Sequence, residues 1–289
     1  MAIKSISSDN NSVMEVLLRN FERLTPTERK PARILLDNYP MEGLVTIAQF
    51  AKKAKVSGPT VLRLVAKLGF ARYPEFQNKL RQELQARLET PVQKTPKQAK
   101  KSVRSHDFIA EFSDTVCQNI KKSFKNIPVS EINSVTQSLG NTQQAVYLIG
   151  GRYTFVMAEH FYLHLHAIRP NVSHIDRQSS TWADHLLDIK KNDLVIVFDI
   201  RRYQDDIVSF AGKALKMGAK IILFTDQWLS PIASIAHHVF TLQTKAPSNW
   251  DSSTAIMTLI DLILAKLTKD LWLEVKDRLD AREENFQSF

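Results

Sequence analysis

The 289-residue chain is long enough for about two domains. Its 44% hydrophobic and 24% charged content belongs to ordinary globular protein, and no run of about 18 apolar residues offers a membrane span. The start, MAIKSISSDNNS, lacks a signal peptide's apolar core and the lone Cys117 excludes an internal disulfide or a cysteine zinc cluster, so a cytoplasmic protein is expected.

The first domain is predicted over 1–88 and is helical throughout. Ser12-x-x-Glu15 is a capping box for a helix to about Leu24, with Val13, Val16, Leu17 and Phe21 inward. Thr25-Pro26-Thr27-Glu28 starts a second helix, ending near Asn38 before Pro40 and Gly43. Thr46–Ala54 is a short helix, and Lys55-Val56-Ser57 turns the chain into VSGPTVLRLVAKLGF. With Ser57 as N-cap, Pro59 falls in the first turn, and Gly69 stops the helix. Val61, Leu64, Val65 and Leu68 make one apolar face, and Thr60, Arg63 and Lys67 lie opposite with Pro59 and Ala66 beside them. A short helix, a tight turn and an amphipathic helix form a helix-turn-helix unit, whose second helix can enter the major groove. After Tyr73-Pro74, Phe76, Leu80, Leu84 and Leu88 mark a last helix. Charge agrees with a polyanion partner: residues 1–105 hold 20 Lys+Arg against 9 Asp+Glu, and the remainder 19 against 21. The candidate DNA contacts are Lys55, Ser57, Pro59, Thr60, Arg63, Lys67 and Arg72. Thr60 and Arg63 are expected to read bases, while Lys52, Lys53, Lys55 and Arg72 meet phosphates.

Residues 89–105, ETPVQKTPKQAKKSVRS, read as a basic linker. From 106 to 289 apolar strand-like runs alternate with helices. Helices to about Lys125 and over Ser130–Leu139 lead to strands at Ala145–Ile149, Val172–Ile175, Leu194–Phe198, Lys220–Thr225 and His238–Leu242. Helices fall at Thr154–Ala167, Thr181–Leu187 and Asp205–Met217, with one long closing helix over Asp251–Arg282. All-apolar strands between helices imply a parallel sheet covered on both faces, with ligands beyond the strands' C-terminal ends. Ile256, Leu259, Ile260, Ile263, Leu264 and Leu267 give the closing helix more apolar surface than one sheet face needs, which suggests assembly.

Both halves resemble the RpiR family of bacterial transcriptional regulators. Over roughly Leu24–Leu84 the resemblance is carried by AKKAKVSGPTVLRLVAKLGFARYPEFQNKL: a Val-Ser turn, Thr-Val, an Arg, Leu-Gly-Phe, then Tyr-x-x-Phe. The part from about Asp107 to Lys269 is similar to a sugar isomerase (SIS) domain, a flavodoxin-like sheet that usually binds phosphorylated sugars. Such domains usually carry Gly-x-Gly-x-Ser after the first strand, where Gly150, Arg152 and Thr154 stand here. They usually carry Ser-x-Ser-Gly-x-Thr after the third, where Asp199, Arg201, Arg202 and Gln204 stand. The resemblance implies an effector site at Gly151, Arg152, Tyr153, Thr154, Asp199, Arg201, Arg202, Tyr203 and Gln204. Three arginines can grip an anion, whether a sugar phosphate, an acidic sugar or a carboxylate; alternatively they pair with Asp199, Asp205 or Asp206 for structure.

Other chemistries are weaker in this sequence. Gly150-Gly151 after a strand lacks the third glycine of a dinucleotide fingerprint, although Asp176 could take a ribose hydroxyl. His160 and His164 at i, i+4 lack the His-Glu-x-x-His order of a zinc hydrolase, so ordinary surface or interface histidines are expected and no metal or cofactor. An isomerase would need a carboxylate base and often a histidine near the sugar, for which Asp251, Asp199 and His174 are the candidates. The expectation is a cytoplasmic, non-enzymatic regulator, a homodimer or homotetramer on paired half-sites of double-stranded DNA, controlled by a small anionic metabolite. The alternatives are a sugar-phosphate isomerase with a DNA-binding appendage and a DNA binder whose α/β part only oligomerises.

Overall fold

The computed structural model describes residues 12–88, 90, 92–93 and 105–287. The chain forms two compact units, one helical and one α/β, and most of the linker read at 89–105 lies outside the described residues.

Among the described residues the helical unit holds five α-helices: α1 Val13–Asn20, α2 Pro26–Asp37, α3 Ile47–Ala54, α4 Gly58–Lys67 and α5 Tyr73–Leu88. Thr25 and Thr46 each accept the N–H three residues on, while Glu28 and Gln49 reach back to the cap N–H; both ends are capping boxes. Ser12 caps α1 through the Glu15 N–H at 3.0 Å. The inward face of α4 is the expected one. Val61, Leu64, Val65 and Leu68 are buried with Phe50 and Ala51 of α3, Ala32 and Leu35 of α2, and Phe76 and Leu80 of α5. Gly43 belongs where it is because a Cβ there would lie 2.2 Å from the Leu80 side chain. The α5 stripe departs from expectation at its end: Leu88 is exposed, and Glu83 is buried instead. Its carboxylate accepts the Val13 N–H at 3.0 Å and the Tyr39 hydroxyl, tying α1 and the end of α2 to α5.

The α/β unit begins with α6 Ser105–Asn126 and α7 Val129–Gly140. Then follow β1 Val146–Gly150, α8 Phe155–Ile168, β2 Val172–His174, α9 Trp182–Asp188, β3 Leu194–Asp199, α10 Asp205–Lys216, β4 Lys220–Asp226 and β5 His238–Leu242. The five strands are parallel in the order β2-β1-β3-β4-β5. Alternate strand residues, Val146, Leu148, Ile196, Phe198, Ile222 and Phe224 among them, share one core with α7, α8 and the helix after β5. The other alternation, with Ile149, Val195, Val197 and Leu223, is buried as well, and α10 packs against β3 and β4. Burial on both faces is why these strands are continuous apolar runs rather than alternating ones.

The single closing helix expected over Asp251–Arg282 is two: α11 Thr254–Asp270 and α12 Trp272–Phe286. The break at Leu271 (φ −115°, ψ 30°) has no proline or glycine behind it. Leu271 packs on the core, where a Cβ added to Gly140 would lie 3.1 Å from it, and α12 then runs along α8. Tertiary packing interrupts a segment whose local propensity is continuous. The apolar stripe of α11 is a second correction. Ile256, Leu259, Ile260, Ile263, Leu264 and Leu267 are all buried in the unit's own core, so that stripe is no argument for assembly. No described helix is long and apolar enough to cross a membrane.

Candidate functional site

The first candidate surface is the outer face of α4, whose inner face docks it against α2 and α3. Lys55 ends α3 in the left-handed region (φ 52°), and the chain re-enters helix at Gly58 with Ser57 as N-cap. The Ser57 hydroxyl does not cap a backbone N–H. It lies 3.0 Å from Thr60 Oγ1, which also accepts from Arg63 Nη2 at 3.0 Å. Thr60 is 2% exposed. This candidate base reader is the middle of a ladder, Ser57–Thr60–Arg63, with its hydroxyl bonded to the Arg63 guanidinium. Lys67 is drawn away from the outer face too. Its ammonium pairs with the buried Glu28 carboxylate of α2 at 2.6 Å. Burial pushes the Glu28 carboxyl up, but the Lys67 and Thr25 hydrogen bonds and the Lys67 charge outweigh it and hold it below the usual range.

What α4 presents outward is Pro59, Leu62, Arg63 and Ala66. Leu62 was not singled out in the sequence, because apolar residues of an amphipathic helix are assigned inward by default; it is 44% exposed. Lys52 and Lys55 are exposed beside this face, Lys53 pairs with Glu42, and Arg72 pairs with Glu75 at 3.2 Å on the surface.

The second candidate surface lies at the C-terminal ends of β1 and β3. The strand order reverses direction between these two strands, the place where open α/β sheets form a ligand crevice. Three segments meet there. Thr154, at the N-cap of α8, is 4% exposed; its hydroxyl donates to the Phe198 carbonyl at 2.6 Å and accepts the Gly151 N–H at 2.7 Å. The Arg152 N–H donates to Gln204 Oε1 at 2.5 Å. In the β3–α10 loop the Arg201 guanidinium makes a two-pronged contact with Asp251, Nε and Nη2 each 2.9 Å from a carboxylate oxygen. The Arg201 side chain is 4% exposed and that of Asp251 14%. Asp226, fully buried at the end of β4, accepts the Arg201 N–H at 2.7 Å and the Tyr203 hydroxyl at 2.6 Å. Arg201 therefore has a carboxylate that the loop pattern did not offer, Asp251. Asp199 is buried at 2% exposure, and Arg202 is exposed.

The residue that the sequence reading missed is Trp250. Its ring meets that of Tyr153 edge-on at 5.9 Å, and the Arg152 guanidinium lies 5.2 Å from the Tyr153 ring centre. Trp250 and Asp251 are neighbours in the chain, so one residue touches the β1–α8 loop and the next grips the β3–α10 loop. Nothing in the local pattern announces this; a tryptophan just ahead of a helix start, with no ligand-type residue spaced from it, carries no signal in sequence.

The remaining candidates do not converge on one chemistry. His160 contacts Asp261 at 3.4 Å and meets the His164 ring at a tilt, and the described residues include no group of three side chains that could hold a metal. His174 lies between the rings of Phe155 and Tyr162, and burial lowers its pKa against the pull of Glu159 and Asp176.

The two units define a helix-turn-helix protein that carries a flavodoxin-like α/β domain. Residues 11–87 match the family model of the rpiR-family helix-turn-helix domain, and residues 141–266 that of the SIS domain. The chain thus joins an rpiR-family helix-turn-helix domain to a SIS domain. Among individual proteins it is similar to the HTH-type transcriptional regulator HexR of Pseudomonas aeruginosa, 34% identical over 73 residues. That match spans 25% of this chain and 26% of HexR. The sugar isomerase domain of an RpiR transcription factor from Sphaerobacter thermophilus shares the fold over 62% of this chain and 99% of its own, at TM-score 0.58 and 18% identity. The NanR protein of Vibrio vulnificus, solved in complex with ManNAc-6P, does so over 94% and 97%, at TM-score 0.53 and 17% identity.

Proposed function

We propose that this protein is a cytoplasmic transcriptional regulator whose helical unit, over 1–88, reads DNA through α4 and whose α/β unit, over 106–289, senses a small metabolite. The observation that carries the reading is the Ser57–Thr60–Arg63 ladder on the outer face of a helix-turn-helix. A guanidinium aimed by a buried hydroxyl is preorganised for the two acceptors of a guanine edge. Leu62 beside it offers an apolar contact for a thymine methyl, and the exposed Lys52, Lys55 and Arg72 fit phosphate contacts that set the register. Thr60 acts as a positioning residue, and Lys67 holds α4 to α2.

Regulation without turnover is supported by the state of the acid–base candidates. Asp251 is committed to Arg201, Asp199 is buried, and His174 is packed between two rings. Paired half-sites and a homodimer, or a homotetramer, complete the proposal.

The test is binding of the full-length protein to DNA from upstream of its own gene and its neighbours, at rising salt and against random competitor. Specific binding should survive competitor. Arg63→Ala should weaken it by about 1–3 kcal/mol and relax the preference at one base pair. Thr60→Val, which keeps the shape and removes the ladder, should give a smaller loss in the same position of the site. Binding that is equal on every sequence and collapses with salt would overturn the reading.

A further inference from the structure

We propose that the metabolite taken at the β1 and β3 strand ends is a sugar-sized carboxylate without a phosphate, its acid group held by Arg152 and its ring face laid on Tyr153 and Trp250. This inference rests on the reading of the α/β unit as an effector-binding domain and narrows its ligand class.

A phosphate cradled by the β1–α8 loop would draw on loop N–H groups such as those of Gly151 and Arg152 as donors. Both are already engaged by this chain. The first is taken by the Thr154 hydroxyl, whose own proton goes to Phe198, and the second by the amide oxygen of Gln204. The Gln204 side chain lies directly over the loop: a Cβ added to Gly151 would sit 2.1 Å from its Oε1. An uncharged amide thus occupies the seat where an anion would accept those bonds.

Charge leads the same way. The strand ends and the segment before α11 carry Arg152, Arg201 and Arg202 together with Asp199, Asp226 and Asp251. Arg201 is already neutralised by Asp251. A phosphate monoester carries about −1.5 to −2 at neutral pH. Its second charge would meet buried carboxylates, whereas a single carboxylate needs only one guanidinium fork.

What faces outward is suited to such a ligand. Tyr153 is 61% exposed and Trp250 58%, an edge-on aromatic pair left open to solvent with the Arg152 guanidinium against it. Exposed aromatic groups of this kind present flat apolar surface with a polar tip, which fits the C–H face of a sugar ring and its hydroxyl rim.

The experiment is calorimetric titration of the full-length protein with D-glucuronate, D-galacturonate and glucose 6-phosphate, repeated for Arg152→Ala and Trp250→Ala. A uronate should bind, at least tenfold tighter than glucose 6-phosphate. Each substitution should weaken uronate binding by at least tenfold, with the circular dichroism spectrum unchanged. Gln204→Ala should raise the affinity for glucose 6-phosphate. If glucose 6-phosphate binds the unaltered protein as tightly as either uronate, the carboxylate assignment is wrong while the effector-binding reading stands. If a uronate binds but neither Arg152→Ala nor Trp250→Ala weakens it, the placement is wrong. If none of the three binds, the proposal fails and the effector-binding reading loses its support with it.

Discussion

At the scale of single residues, the informative groups are polar ones in places where a periodic pattern expects something else. Thr60 is one, buried on the flank of α4 and bonded to Ser57 and Arg63. Glu83 is another. Burial pushes its carboxyl above the ordinary value of 4.5, even though the Tyr39 hydroxyl, the Val13 N–H, Lys79 and Arg87 all favour the charged form. A carboxyl whose pKa is raised on folding binds its proton more tightly in the native state than in the unfolded one. Its contribution to stability is therefore complete below about pH 4.5 and is lost as pH rises through the raised value. Glu83→Gln keeps an oxygen for the Val13 N–H, places an amide N–H opposite the Tyr39 hydroxyl, which can turn to accept it, and cannot ionise. Urea unfolding of both proteins between pH 4 and pH 8 should show the variant gaining relative to the parent as pH rises, then levelling off. A difference that stays flat, or shrinks with pH, would mean that Glu83 is not the group responsible.

At the scale of elements, the helices and strands of both units were legible in the sequence, since caps and period mark them directly. Thr25 and Thr46 begin helices by capping boxes, and five apolar runs became five parallel strands. The break at Leu271 was not legible, because it answers to core packing rather than to a local breaker. The candidate effector site was half legible. Topology placed the loops after β1 and β3, but the partners of their side chains come from far along the chain. Arg201 meets Asp251 fifty residues on, and Arg152 meets Gln204 fifty-two residues on. No local pattern carries such a pairing. The Arg201–Asp251 bridge makes a prediction of its own, because it ties the β3–α10 loop to the segment before α11. Asp251→Ala would leave a guanidinium that is 4% exposed without its bidentate carboxylate, at a cost of roughly 3–5 kcal/mol. Replacing both partners, Arg201→Met with Asp251→Leu, should recover most of that loss. Thermal unfolding of the α/β unit's transition measures both. A double variant no more stable than Asp251→Ala would show that the bridge contributes more than charge compensation.

At the scale of the whole molecule, magnitudes favour two reading helices over one. Helix α4 has 10 residues and so is about 15 Å long, with Leu62 and Arg63 as its outward side chains most able to discriminate bases. Good base contacts are worth about 1–3 kcal/mol each, so one helix supplies roughly 2–6 kcal/mol of discrimination. Specific sites are typically held about 4–10 kcal/mol more tightly than non-specific DNA, and about 10⁶ competitors call for the upper part of that range. One copy falls short of that requirement, and two copies on a two-fold axis meet it without any further reading residue. The basic first third, with 20 Lys+Arg against 9 Asp+Glu over residues 1–105, adds affinity for any DNA and so cannot close the gap. Footprinting of the full-length protein on its site should therefore show two protected segments related by two-fold symmetry. Their centres should be about 34–36 Å apart, or a multiple of that, on one face of the duplex. Titration at DNA concentrations well above the dissociation constant should end at an even number of chains per site. An effector that changes affinity would then act on the placement of the two helices, and a coupling of about 1–3 kcal/mol would suffice to switch occupancy five- to 150-fold. A single protected segment with one chain bound would sink the paired reading, and the missing specificity would have to come from DNA shape or from a second contact surface.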